Sequence, residues 1–218
     1  MKTKYWSLKT QILHIGMVAT VTAQLFISLI MSEPGDKGSA IGHLSYQAHE
    51  VVGLTALGII ALHWVWSISS QSDGRLKHLF PWWGEEKKRV ISEVKALLRG
   101  QLPDTSKHGG LAGFAHGLGF LAVTGAAISG AIIFFTFPES GHPGVLGEAT
   151  KEIHEAIAGL VWTYWAAHGG IAILHHLSGS DTLKKMFSFN TLNTKHNKIS
   201  SSHSADSLSQ ELSHEIKH

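Results

Sequence analysis

Apolar positions gather into four long runs separated by polar connections: Gln11–Met31, Ala48–Ser70, Leu111–Phe137 and Ile153–Leu177. Each reaches or exceeds the ~20 residues that a helix needs to cross about 30 Å of hydrocarbon. None contains Lys, Arg or Asp, and Glu50 and Glu155 stand near run ends, each directly after a histidine. The first run follows Lys2, Lys4 and Lys9, as the core of a secretory signal would. Its apolar stretch exceeds the ~7–15 residues of such a signal, so a retained helix is expected. The pattern therefore predicts an all-α fold, a four-helix transmembrane bundle.

The connection between the second and third runs is the long one. Within it Glu85–Arg99 reads as a short amphipathic helix, with Val90, Ile91, Val94, Leu97 and Leu98 approximating one apolar stripe. Such a helix suits the membrane surface, and Phe80, Trp82 and Trp83 just before it suit the headgroup zone. Residues 1–187 are expected to form the bundle. Residues 188–218, rich in Ser, His, Asn and Lys and without apolar periodicity, are expected to be a disordered tail. His196, His203, His214 and His218 in it are at most weak metal ligands.

Charge gives the runs a direction. Of 18 Lys and Arg, all but Lys37 and Lys151 lie in the first ten residues, in the connection 71–110 or after the fourth run. Positive charge stays on the cytoplasmic side, so both termini are expected there. Composition narrows the class further. Charged residues make up only 16% of the chain, against about 25% in ordinary soluble domains, and mean hydropathy is +0.08. A net charge of +2 gives no strongly basic surface, so no nucleic-acid partner is expected. With no cysteine, disulfide scaffolds, thiolate zinc sites, iron–sulfur clusters, covalently attached haem and thiol catalysis are excluded.

The residue in excess is histidine, with 16 copies. His14, His49, His63, His116, His154 and His168 fall inside the runs, and His175 and His176 close the fourth. An imidazole in lipid is costly unless it is paired, hydrogen-bonded or coordinating. His49 and His63 are 14 residues apart, and so are His154 and His168. Fourteen residues of helix rise ~21 Å and fall about 40° short of four full turns. Each helix thus carries two histidines on nearly one face, one towards each side of the bilayer. By depth, His49 and His154 form an outer level; His14, His63, His116 and His168 share an inner one. Imidazoles facing each other across a bundle can grip a flat macrocycle from both sides, as in bis-histidine haem. Gly16, Gly53, Gly117, Gly169 and Gly170, near these histidines, would either clear space for a porphyrin or let helices approach closely. A metal or proton carrier lined by histidine is a competing reading, but the bundle centre lacks the carboxylates that such a path normally carries.

The segments "ILHIG", "AHEVVG", "AHGLG" and "IHEAIAGLVWTYWAAHGGIAILHHL", the last followed by "LKKMF", resemble the prokaryotic cytochrome b561 family, which includes the cytochrome b subunit of nickel–iron hydrogenases. The resemblance covers about residues 4–187. It implies a di-haem cytochrome b of the bacterial inner membrane that carries electrons between a quinone pool and a protein redox partner. That partner would be a hydrogenase, a dehydrogenase or a c-type cytochrome. The family's iron ligands fall on His14, His49, His154 and His168: His49 and His154 for the outer of two b haems, His14 and His168 for the inner. His63 is the alternative to His14, and His116 stands third, as a hydrogen-bonding or quinone-site residue. Many relatives carry arginine at position 63, where it would meet a haem propionate; histidine here departs from that pattern. An electron-transfer subunit is expected rather than a stand-alone, quinone-coupled oxidoreductase acting on a small substrate.

Overall fold

The computed structural model describes residues 6–32, 37–69, 76–82, 84–101, 110–136, 144–179 and 182–187. Every regular element among them is helical: α1 (Leu8–Ile27), α2 (Ala40–Ser69), α3 (Leu76–Leu79), α4 (Gly84–Leu98), α5 (Gly110–Thr136), α6 (Val145–Leu177) and α7 (Thr182–Phe187). Four of these, α1, α2, α5 and α6, are long and apolar enough to cross a membrane. The expected four-helix transmembrane bundle is thus the observed one.

The apolar runs mark these helices unequally. α2 and α6 both begin eight residues before their runs do, at Ala40 and Val145. Turns containing Ser45, Gln47, Glu148 and Lys151 are helical yet too polar to register as a span. As a result His49 and His154 are each the tenth residue of a helix, held by complete turns on both sides.

α1 packs on α2, α2 on α5, and α5 on α6, around a core of Leu25, Ile60, Phe120, Val123 and Val161. Most other apolar side chains of the spans face outward; Phe135, for example, is 75% exposed. That is the surface a lipid solvent requires. Lipid supplies no hydrophobic drive between helices, so interhelical hydrogen bonds and close packing must hold them. Three tryptophan indoles supply such bonds, each donating Nε1–H to a threonine hydroxyl. Trp66 of α2 reaches Thr10 of α1 (3.0 Å), Trp64 of α2 reaches Thr124 of α5 (3.1 Å), and Trp165 of α6 reaches Thr22 of α1 (3.0 Å). The last matters most, because α6 otherwise meets α1 sparsely. It is reinforced by Phe26, whose ring sits edge-on to Trp162 and Trp165 at 5.6 and 5.7 Å.

Within the long connection, α4 is docked on the start of α5. Glu93 of α4 accepts a hydrogen bond from the Leu111 backbone N–H (2.7 Å), and Glu86 accepts one from that of Gly110 (3.2 Å). Two orphan donors at the N-terminus of α5 are thereby capped by carboxylates from another helix, with the helix dipole favouring the negative charge. Arg89 holds Glu93 in place through Nε at 2.7 Å. This docked edge leaves Ile91, Val94 and Leu98 exposed on another side of α4, a stripe at i, i+3, i+7 spacing. The amphipathic helix expected over Glu85–Arg99 is present, and its polar edge serves α5. Of the expected interfacial aromatics, Phe80 stacks on Trp64 at 6.2 Å, Trp82 is 41% exposed, and Trp83 lies outside the described residues. The tail, with its four histidines, also lies outside them.

Candidate functional site

Three helices bring their histidines together in twos. At one end of the bundle His49 of α2 faces His154 of α6, ring centroids 6.3 Å apart and planes at 84°. At the other end His14 of α1 faces His168 of α6, 6.5 Å apart with planes at 65°. An imidazole centroid lies roughly 1.1 Å from its ring nitrogens and a metal–imidazole bond is about 2.0–2.1 Å, so two rings clasping one metal in line stand about 6.3 Å apart. Both pairs have that separation. The angle between planes carries no penalty, because each ring can rotate about the nitrogen–metal axis.

The remaining span histidines are placed differently. His116 lies 4.8 Å from His168, centroid to centroid, and its Nδ1 is 2.6 Å from the carbonyl oxygen of Ala112. That distance is ring contact, too short to admit a metal between them. His63 is buried against Phe120 at 4.8 Å, and its Nδ1 lies 3.3 Å from the Ser67 hydroxyl. His175 and His176 occupy the last turn of α6. Among the described residues no three His, Asp or Glu side chains gather as a metal-ion centre would require.

Around His49 and His154 lies a cavity of about 590 Å³, within the usual range of about 300–1,000 Å³ for cofactor sites. Ile60, Val123 and Val161 line its apolar part, and Gly53 and Gly130 its helix walls. A Cβ on Gly130 would stand 3.1 Å from Cε1 of His154, so glycine leaves that imidazole its position. A Cβ on Gly53 would stand 2.5 Å from Nε2 of Gln24, which donates to the His49 carbonyl at 2.8 Å. Glu50 and Glu155 also line the cavity, within their helices rather than at helix ends.

The other glycines near histidines have other duties. Gly16 admits Ile59 of α2, with 3.3 Å to a built Cβ; Gly117 admits the Leu79 carbonyl of α3; Gly169 and Gly170 face open space. For Gly16 and Gly117, close approach of chain elements is what the structure shows.

The residues fit a porphyrin-bound iron by three observations. Both pair separations match, the cavity at His49 and His154 has the size, and one ring nitrogen in each pair, Nδ1 of His49 and Nδ1 of His14, is buried without a hydrogen-bond partner. Several contributors escaped the sequence reading. Tyr164 stacks on His168 (5.2 Å, 12°), lodged where Gly119 lacks a side chain. Phe187, carried back by α7, sits 6.5 Å from His14. Ser129 lies 2.9 Å from Nδ1 of His154. A serine inside an apolar run was the one available signal, since polar groups in lipid call for partners.

A helical membrane bundle with histidine pairs at two levels is the architecture of a membrane haem protein. Residues 5–189 match the family model for prokaryotic cytochrome b561, and the chain belongs to that family. It is accordingly a multi-pass membrane protein, a b-type cytochrome that binds haem b and transfers electrons. No curated protein and no solved structure matches the chain.

Proposed function

We propose that the chain binds two b haems, one between His49 and His154 and one between His14 and His168. Through them it would carry electrons between a quinone pool and a protein redox partner: a hydrogenase, a dehydrogenase or a c-type cytochrome. The observation that carries this reading is the pair of centroid separations, 6.3 and 6.5 Å. Haem, when bound, supplies a one-electron Fe(III)/Fe(II) couple. The protein's own work would be to hold the iron with the imidazoles of each pair and to surround it with apolar side chains that exclude water. α6 sets the spacing between the two sites, because His154 and His168 lie fourteen residues apart on it, a rise of ~21 Å.

The distribution of Lys and Arg supports an orientation with both termini in the cytoplasm and the protein in a bacterial inner membrane. His49 and His154 then form the outer site. In this reading residues 1–187 are the working unit and 188–218 a polar tail.

Purified protein should show b-type reduced-minus-oxidised bands with two haems per chain. His154→Ala should remove one of them and His168→Ala the other. A folded preparation without haem, or a single haem lost in both variants, would overturn the proposal. Steady turnover of quinol with a small acceptor by the isolated chain would instead favour a stand-alone oxidoreductase.

A further inference from the structure

The two imidazoles of the outer pair are not equivalent. His154 has hydrogen-bond partners on α5, the Ser129 hydroxyl at 2.9 Å from Nδ1 and the backbone carbonyl of Ala126, whereas Nδ1 of His49 is buried with none. Ser129 is 6% exposed and sits in the C-terminal third of α5. Its Oγ is also 2.8 Å from the Gly125 carbonyl and 3.1 Å from that of Ala126. A hydroxyl has one proton and two lone pairs. Serine within a helix gives that proton to a carbonyl three or four residues back, and Ser129 has two such carbonyls in range. What remains towards His154 is a lone pair, which accepts the Nδ1–H.

The consequence runs through the tautomer. With its proton on Nδ1, His154 presents a bare Nε2, the nitrogen able to bind a metal. An acceptor on the far nitrogen also orients the ring and makes it a stronger donor. The geometry points to Ser129 as the positioning residue of the outer site, which fixes the His154 tautomer and lowers the reduction potential of the haem held there. This rests on the di-haem reading above. A stronger donor favours the oxidised iron, so removing the hydroxyl should raise that potential. Gly130, the next residue, bears no side chain that would push His154 away from Ser129.

The experiment is a redox titration of the purified holoprotein, reading both haems optically, for wild type, Ser129→Ala, Ser129→Cys and Ser129→Thr. Alanine should raise the potential of one haem and leave the other in place. It should also loosen that haem about ten-fold or more, measured as transfer to a haem-scavenging globin. Threonine keeps the hydroxyl and should restore both values, and cysteine, a weaker acceptor, should fall between. If alanine loses the outer haem altogether, the cysteine and threonine variants still rank the effect. Equal potentials in the alanine and threonine variants, or a potential lowered by alanine, would overturn the assignment. Absence of haem from the wild type would instead defeat the underlying reading.

Discussion

His168 faces two imidazoles at different distances, and the difference decides what each can share with it. At 6.5 Å from His14 a metal fits in line; at 4.8 Å from His116 only ring contact fits. If two haems are bound as proposed, His116→Ala should retain both, while His14→Ala should lose one, about half the Soret absorbance per chain. Retention of both haems by His14→Ala would remove it as a ligand and return attention to His63. A second residue-scale prediction follows from Gly130, where even a Cβ would stand 3.1 Å from the His154 ring. Gly130→Val places two further carbons there and should remove the outer haem alone. The inner pair serves as the internal control, since α5 supplies neither of its members.

Two contacts at the scale of elements carry more than their size suggests. Glu93 joins α4 to the start of α5, accepting from Leu111 and Arg89 at 2.7 Å each. Glu93→Ala removes the acceptor of the Leu111 N–H and should cost about 1–3 kcal/mol; Glu93→Gln, which keeps an acceptor oxygen, should cost less. Thermal unfolding followed by circular dichroism reads both. Trp165 joins the sparsely packed α1 and α6 by its bond to Thr22. Trp165→Phe should cost about 0.6 kcal/mol, up to about 1.7, on the scale of measured interhelical bonds in lipid. Because α1 and α6 carry His14 and His168, the inner haem should be the one lost sooner on heating.

The same elements show what was legible beforehand. Length and hydropathy sufficed for the four spans because lipid demands a run of apolar side chains, and the 14-residue spacings on α2 and α6 put His49 and His154 at one level. The helical extensions from Ala40 and Val145 escaped because polar turns look like loop to a hydropathy argument. Ser129, Tyr164, Phe187 and the threonine partners of the tryptophans escaped for another reason. Their roles depend on the rotation of one helix against the next, which periodicity along a single helix does not carry. The placing of His14 and His116 against His168 is of the same kind, read from separations of 6.5 and 4.8 Å and not from spacing.

At the scale of the whole molecule, direction across the bilayer is the property on which electron flow depends, and it rests on charge alone. Sixteen of the 18 Lys and Arg lie in the first ten residues, between α2 and α5 or after α6, the segments that chain order attaches to the end of the bundle where α1 begins and α6 finishes. Each such residue resists translocation, so the excess should hold that end in the cytoplasm. The absence of cysteine makes the prediction unusually clean to check, since a single introduced thiol is the only one in the chain. Ala40, at the start of α2, and Val145, 91% exposed at the start of α6, lie at the His49 end; Gln101, exposed after α4, lies at the other. In intact cells with a membrane-impermeant maleimide, Ala40→Cys and Val145→Cys should be labelled and Gln101→Cys only after the membrane is broken. The reversed pattern would place the His49–His154 pair on the cytoplasmic side and exchange the faces from which a soluble partner and the cytoplasm reach the two sites. Labelling of all three in intact cells would mean that the two helix starts and the α4 end do not lie on opposite sides, and would contradict the four-span topology itself.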